Sequence, residues 1–411
     1  MRVMAPAVFR NRSFVYLYLG GLISVSGSTI TSLILIWLVY TETKSALAIT
    51  FLGIASILPT ILLGLLTGVF VDRLDRRVLM IISDLARAAL VFSVPVYLIW
   101  RGFSFPLVLA IVVLVSVCST VFRPATNSLL PMLVSGESVQ DANGLISATN
   151  SLVQMVANAV GGLLIGLAGV VFGLFYNVLT YILSASLIFL ILVPPHLTNG
   201  ATPRTTSFAT DFKEGLRYMR KNTGVFEATL SATFLNFFGT MVGSFLVIYV
   251  AEHLKANGSY FGLLLAALAT GLAAGSLAVW RLRTVRYAGK LFAFTSIVFG
   301  LGSTLLGLIH STEWAVPIVA CMGLALGLMN TTFFSIIQLV VPNEILGRVL
   351  SVDEVGSYAA IPIGQIVAGV LISTSGIVVN YLAAGLGIIL TGIAMLFLSD
   401  LRNLKYINSR S

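Results

Sequence analysis

Residues 45–77 read SALAITFLGIASILPTILLGLLTGVFVDRLDRR; the 27 residues from Ser45 to Val71 carry no ionisable side chain, and five of the next six are charged. As a helix, a run of that length extends about 40 Å, enough to cross the ~30 Å hydrocarbon core of a bilayer. The charge cluster that follows then has to lie in water at one end of the span. Working outward, no ionised residue lies between Ser13 and Thr41, Gly102 and Phe122, Ala228 and Ala251, Ala256 and Trp280, or Trp314 and Asn343. The uncharged stretches Ala142 to Pro195 and Val355 to Ser399 are each long enough for two helices, with turns expected near Gly169 to Gly173 and near Gly376. Val78 to Trp100 reads as a helix interrupted by Asp84 and Arg87, and Leu291 to Ile309 supplies the last span. The sequence thus predicts twelve helices in 411 residues.

Composition agrees with that reading. The chain has 58% hydrophobic and 9% charged residues and a mean hydropathy of +1.01, against about 25% charged residues in soluble domains. A soluble globular protein is excluded. A membrane barrel is excluded as well, because it needs short alternating strands and not continuous apolar runs. The net charge of +9 could suggest nucleic-acid binding, but the charges sit almost entirely in loops between spans, so no nucleic-acid partner is expected. Cys118 and Cys321 fall within predicted spans, far apart and without metal-ligand neighbours; they read as packing residues, and neither a metal nor a cofactor is expected. Arg2, Arg10 and Arg12 precede a run too long for a cleaved signal core, so the first helix is expected to stay as an anchor.

Threading the spans with the N-terminus inside leaves Lys44, Arg101 and Lys255 outside and the other 21 of the 24 basic residues inside. That asymmetry predicts cytoplasmic N- and C-termini in a cell membrane, with the net positive charge facing anionic lipids. The longest polar segment, Pro194 to Asn222, lies near the middle of the chain. It suggests an N-terminal six-helix bundle (1–193), a cytoplasmic linker (194–222) and a C-terminal six-helix bundle (223–411). In the linker, Phe208, Phe212, Leu216 and Met219 recur at helical spacing between basic residues, as in a short helix at a membrane interface. A shift of 207 residues places Gly68 on Gly275, Ser128 on Ser335, Val134 on Val341 and Glu137 on Glu344. Such an offset fits parallel repeats.

The loop Gly68-x-x-x-Asp72-Arg73-x-x-Arg76-Arg77 resembles the signature loop of the major facilitator superfamily. Glycine allows close helix approach, Asp72 can meet arginines or a helix N-terminus, and Arg73, Arg76 and Arg77 close helix two and can reach phosphates. The resemblance implies an all-α integral membrane fold of two pseudo-symmetric six-helix bundles, with Asp72 latching the halves against the start of helix eleven. Phe122 to Ala125, Leu130 to Val134, Gly347 to Val349 and Pro362 to Gly364 are similar to the macrolide-efflux and enterobactin-exporter branch. That grouping also includes lysophospholipid flippases. The implied function is proton-coupled export of a hydrophobic or amphipathic molecule by a monomer, with a lysolipid flippase or a metabolite or siderophore exporter as the alternative. Helix five reads Asn158-Ala159-Val160-Gly161-Gly162, which departs from the Gly-Pro-x-x-Gly-Gly signature of antiporters.

Intramembrane charges are few. Asp84 and Arg87 share a face of helix three as an i, i+3 pair, and Asp353 and Glu354 are expected at the start of helix eleven, where a helix dipole favours acids. These four are candidates for gating or proton coupling. The polar groups that could face a substrate are Ser28, Gln154, Asn158, Asn236 and Asn330, because an amide in hydrocarbon must find a partner. His196, His253 and His310 are scattered in sequence and make no catalytic set, and no GxxxxGK[ST] loop is present, so neither an enzyme nor an ATP-driven pump is expected.

Overall fold

The computed structural model describes residues 7–134, 136–192, 208–282 and 287–402. After a 3-10 turn (Ala7–Arg10) come α1 (Arg12–Thr43), α2 (Ala46–Arg73), α3 (Arg76–Arg101), α4 (Phe105–Leu133), α5 (Gly136–Leu167) and α6 (Gly169–Phe189). Then follow α7 (Phe208–Lys221), α8 (Thr223–Gly243), the short α9 (Leu246–Ile248), a π-helical turn (Tyr249–His253), α10 (Gly258–Leu282), α11 (Ala288–Leu308), α12 (Thr312–Val340), α13 (Asn343–Phe397) and α14 (Ser399–Arg402). Among the described residues there is no strand. Ten helical stretches are long and apolar enough to cross a membrane. One of them, α13, breaks at Gly376 into two arms, and α5 adds 32 residues, which together give the twelve helices expected.

Local chemistry sets the ends. Asn11 Oδ1 accepts from the amides of Ser13 (2.9 Å) and Phe14 (3.4 Å), and Asp75 Oδ1 accepts from Arg77 (2.9 Å) and Val78 (3.2 Å), so both act as helix N-caps. The turns between the fifth and sixth helices of each half use Gly169 (φ 79°) and Gly376 (φ 84°, ψ 170°). The two glycines are 207 residues apart, the same offset that relates the halves in sequence. A Cβ at either would meet no atom; the requirement is for the dihedral alone, which L-residues rarely adopt.

The chain divides into two compact units, one of residues 1–44 and 51–203, the other of residues 45–50 and 204–411. In the first, α6 packs on α1 and α3, and α3 also packs on α4. Gly27 of α1 lies so close to Thr180 and Asn177 of α6 that a side chain there would collide with both. Gly161 of α5 packs against Ile30 and Leu33 of α1, a role that does not need the missing Gly-Pro pair. In the second unit, α13 packs on α8 and α11, and α10 pairs with α12. Gly271 and Gly275 of α10 rest on the main chain of α12 at Ala320 and Leu324, while Gly323 and Gly327 of α12 rest on α10 at Leu268 and Leu272. This reciprocal small-residue crossing is the device by which helices associate in lipid, where hydrophobic burial between them supplies little.

The linker helix α7 packs mainly on α13. Met219 and Gly215 of α7 are buried within the second unit, with Gly215 on the Arg348 carbonyl and Val352. Tyr218 Oη donates to Val340 O (3.2 Å) and Glu214 pairs with Arg348 (2.9 Å). On the face that carries the helical repeat, Met219 is buried while Phe212 and Leu216 are half-buried. Burial also raises the Tyr218 hydroxyl above its ordinary pKa.

Candidate functional site

Within the first unit, α1, α2, α3, α4 and α6 enclose a cavity of about 250 Å³. Its walls are mostly aliphatic, from residues such as Leu35, Val91 and Val115, with hydroxyls from Ser28, Thr31, Ser56 and Ser116. Ser28 Oγ donates to Ser24 O (2.7 Å), so Tyr181 Oη is the donor in its 3.0 Å contact with Ser28 Oγ. Tyr181 is 1% exposed and its hydroxyl bonds inside the cavity wall. Its ring carries the Arg87 guanidinium, 4.5 Å from the centroid.

Arg87 and Asp84 form the ion pair expected from their spacing, and both are buried, Asp84 completely. Ser184 Oγ of α6 donates to Asp84 Oδ2 (2.7 Å), Arg87 Nε donates to Ser83 O (3.3 Å), and the guanidinium also sits 4.9 Å from the Phe122 ring. An acid and a base removed from water persist only when paired and hydrogen-bonded. Tyr181 therefore joins a buried charge pair on one side to a cavity on the other.

The second unit holds a cavity of about 350 Å³, lined by Asn236, Thr240, Met322, Met329, Asn330 and Phe299 among others, with no ionisable side chain among its lining residues. Beside it, Gln365 Nε2 donates to Ser244 Oγ (3.1 Å), which bonds Thr240 Oγ1 (3.1 Å). The five sequence candidates for a cavity thus separate. Ser28 lines the first cavity, Asn236 and Asn330 line the second, and Gln154 (exposed) and Asn158 (half-buried) on α5 line neither.

The charged candidates also separate. The side chains of Gly68, Asp72 and Arg73, at the end of α2, lie outside those described. Arg76 and Arg77 open α3 instead of closing α2, and their contacts are with protein. Arg77 donates to the carbonyls of Ile188 (3.2 Å) and Phe189 at the end of α6 and stacks on the Phe189 ring; Arg76 Nη1 reaches Met132 Sδ (3.7 Å). Orphan carbonyls at a helix C-terminus are good partners for a cation, which accounts for the place of Arg77 at the end of α6. Asp353 and Glu354 are not at a helix start, because α13 begins at Asn343, ten residues or about 15 Å earlier. Asp353 is buried with Oδ1 unpartnered, and Glu354 is exposed. His253 and His310, far apart in sequence, lie ring against ring, tilted by 35° with centroids 4.1 Å apart, and His253 Nε2 bonds Ile309 O (3.0 Å). Among the described residues no group of three His, Cys, Asp or Glu could hold a metal ion.

Sequence reasoning missed a device present in both units. The sixth helix of each half carries a fully buried Asn and Tyr: Asn177 and Tyr181 in α6, Asn380 and Tyr381 in α13. In the second unit they tie to the first helix of that half, with Asn380 Nδ2 donating to Met241 O (2.8 Å) and Tyr381 Oη to Val242 O (3.2 Å). The argument that singled out Asn236, an amide in hydrocarbon, applies equally to Asn177 and Asn380.

Residues 3–411 match the family model described as transmembrane secretion effector, a major facilitator family. The chain is 23% identical to macrolide efflux protein A of Streptococcus pyogenes, covering 95% of this chain and 97% of that one. It is 26% identical to the multidrug efflux pump Tap of Mycobacterium tuberculosis, covering 96% and 95%. In fold it is similar to the nucleoside transporter NupG (TM-score 0.74, 10% identity, 94% and 99% covered) and to a bacterial homologue of ferroportin (TM-score 0.73, 17% identity, 94% and 98% covered). The chain belongs to the transmembrane secretion effector family of major facilitator transporters.

Proposed function

We propose that this transporter works by alternating access and exports a hydrophobic or amphipathic small molecule in exchange for protons. The observation that supports this most directly is the buried Asp84–Arg87 pair beside an apolar cavity studded with hydroxyls. A cavity without central charge suits a lipophilic molecule, and a buried carboxylate with one cationic partner suits reversible protonation. The names of relatives that export macrolides and multiple drugs support the same direction. Asp84 is assigned as the proton carrier, with Asp353 and Glu354 as second candidates. Gly68, Asp72, Arg73, Arg76 and Arg77 are assigned to the gate, and Ser28, Asn236 and Asn330, with Gln154 and Asn158, to substrate contact.

In this reading the two six-helix bundles, 1–193 and 223–411, joined by the 194–222 linker, rock about a mid-membrane site in the cytoplasmic membrane, the protein being a monomer with both termini inside. Its positive face then lies on anionic lipids. The test is uptake of lipophilic dyes into energised inside-out vesicles, with and without a protonophore, for the parent, Asp84→Asn and Asp72→Asn. Uptake abolished by the protonophore and by either substitution supports the reading. Uptake by Asp84→Asn that keeps its full dependence on the pH gradient removes the proton assignment. No dye uptake by correctly inserted protein shifts the function to a lysolipid flippase or a dedicated metabolite or siderophore exporter.

A further inference from the structure

Asn236 of α8 and Asn330 of α12 both line the cavity of the second unit and both are exposed; among the described residues neither side-chain amide has a hydrogen-bond partner. Asn236 lies about 20 Å from the start of α8 and Asn330 about 15 Å before the end of α12, counted at about 1.5 Å per residue. Alternation of the spans puts those two helix ends on one side of the membrane, so the amides stand at similar depth, well inside the ~30 Å of hydrocarbon. The other polar groups beside them are committed. Thr240 Oγ1 and Ser244 Oγ bond each other (3.1 Å), and Gln365 Nε2 donates to Ser244 Oγ (3.1 Å). Gly239 and Gly243 follow Asn236 by one and two turns on the same face of α8, and a Cβ at either would meet no atom. Part of the cavity next to Asn236 is therefore open because α8 carries no side chain there.

We propose that the cavity of the second unit binds a neutral ligand through a paired donor and acceptor (a carboxamide, lactam, imide or urea) that completes the side-chain amides of Asn236 and Asn330. The inference rests on the export reading above in taking these two residues as substrate contacts, and it adds the functional group they select. Each Asn offers N–H donors and a carbonyl acceptor. A ligand with an acceptor alone, such as an ester or a ketone, meets the NH₂ groups and leaves both Asn carbonyls facing a mostly apolar wall, whereas a ligand amide serves both kinds of group. It also reproduces the hydrogen bonds of the water it displaces, which an ester does in part. An ion is disfavoured, because no lining residue is ionisable and a charge at this depth would go without a partner. The volume of about 350 Å³ is within the range of small-molecule pockets. Phe299, Met322 and Met329 supply apolar, adaptable surface for rings on either side of the amide.

N-Benzylbenzamide is a suitable probe, a neutral secondary amide between two rings. Benzyl benzoate replaces its N–H by oxygen, and 1,3-diphenylpropane removes both polar groups. Binding of tritiated N-benzylbenzamide to the full-length protein in detergent is measured by equilibrium dialysis against protein-free micelles, with the other two compounds as competitors. Saturable binding is expected, with benzyl benzoate displacing the tracer at severalfold higher concentration than the unlabelled amide. Asn236→Leu and Asn330→Leu, close in size to the parent side chains, should each weaken the tracer about two- to tenfold, as for loss of one net hydrogen bond. The inhibition constant of 1,3-diphenylpropane should stay at its parent value in both, which also reports an intact cavity. Gly239→Leu, which fills the open space beside Asn236, should weaken the amide and the hydrocarbon alike. Equal affinity of amide and ester in the parent overturns the proposal with no variant needed, and so does tracer binding unchanged in both Asn variants. Because binding needs neither protons nor transport, amide binding that depends on Asn236 and Asn330 without dye uptake keeps this inference and rejects the drug-export reading. Dye uptake with tracer binding indifferent to both substitutions does the reverse.

Discussion

Replacing Arg87 by Met removes the cation that faces Asp84 while keeping a chain of similar length. The carboxylate is then left in a site with no solvent exposure, with only the hydroxyls of Ser184 (Oγ at 2.7 Å) and Ser24 as donors. Breaking one side of a buried pair costs about 3–5 kcal/mol. The Phe122 and Tyr181 rings lose a cation on their faces as well, at about 0.5–2 kcal/mol. For a unit of about 200 residues, 1 kcal/mol corresponds to roughly 2–4 °C in Tm, so the combined loss of about 3.5–7 kcal/mol should make Arg87→Met melt roughly 7–28 °C below the parent. The double variant Asp84→Asn/Arg87→Met has no uncompensated charge, and the amide that takes the place of the carboxylate can still bond Ser184. It should recover most of the loss, since a buried pair exchanged for neutral groups is often close to neutral in stability. Size-exclusion chromatography after heating in detergent measures all three proteins. If Arg87→Met melts within about 2 °C of the parent, less than the equivalent of 1 kcal/mol, or the double variant is no more stable than the single one, the pair is not held as described.

Three further outcomes test the packing. Gly376→Ala places its Cβ in open space, yet should cost about 1–3 kcal/mol because φ 84°, ψ 170° is a conformation almost confined to glycine; the same melting assay reads it. Gly275→Leu puts a side chain into the Leu324 main chain, and overpacking of at least about 1–3 kcal/mol should abolish monodisperse protein on size exclusion, whereas Gly239→Ala, which meets nothing, should not. Arg77→Ala removes two bonds to the last carbonyls of α6 and should lower Tm by the equivalent of about 1–3 kcal/mol. That loss should be the same in neutral and anionic lipid nanodiscs if the guanidinium serves protein and not phosphate.

The fold is legible because charge is so sparse that its positions mark the ends of nearly every helix, and because positive-φ turns demand glycine, which stands at both Gly169 and Gly376. The Asp84–Arg87 pair is legible for a related reason: i, i+3 spacing brings the two side chains together on any helix. Less of the site can be read. Asp353 resembles a helix-start acid because the chain before it, from Asn343, contains charges and a glycine that suggest a loop, yet α13 runs through them. The contact of Arg77 with the end of α6 is not legible because that partner is 111 residues away. His253 and His310 are separated for the same reason, meeting only where the ends of two helices converge. Local spacing reports on contacts within one helix, while contacts between helices depend on which faces meet, and a uniformly apolar helix gives little periodic signal to say so.

The glycines at the α10–α12 crossing have a mechanical consequence for the second cavity. Leu268 of α10 and Met322, Leu326, Met329 and Asn330 of α12 form part of its lining, and these two helices touch main chain to main chain at four glycines. With no side chains between them to rotate out of the way, their separation has no slack, and that wall of the cavity is stiff. A molecule of unusual shape cannot be accommodated by spreading this pair. Any reshaping of this wall falls instead to the thioether chains of Met322 and Met329, whose unbranched, polarizable ends can change a lining at small cost, two adaptable side chains set on a rigid support.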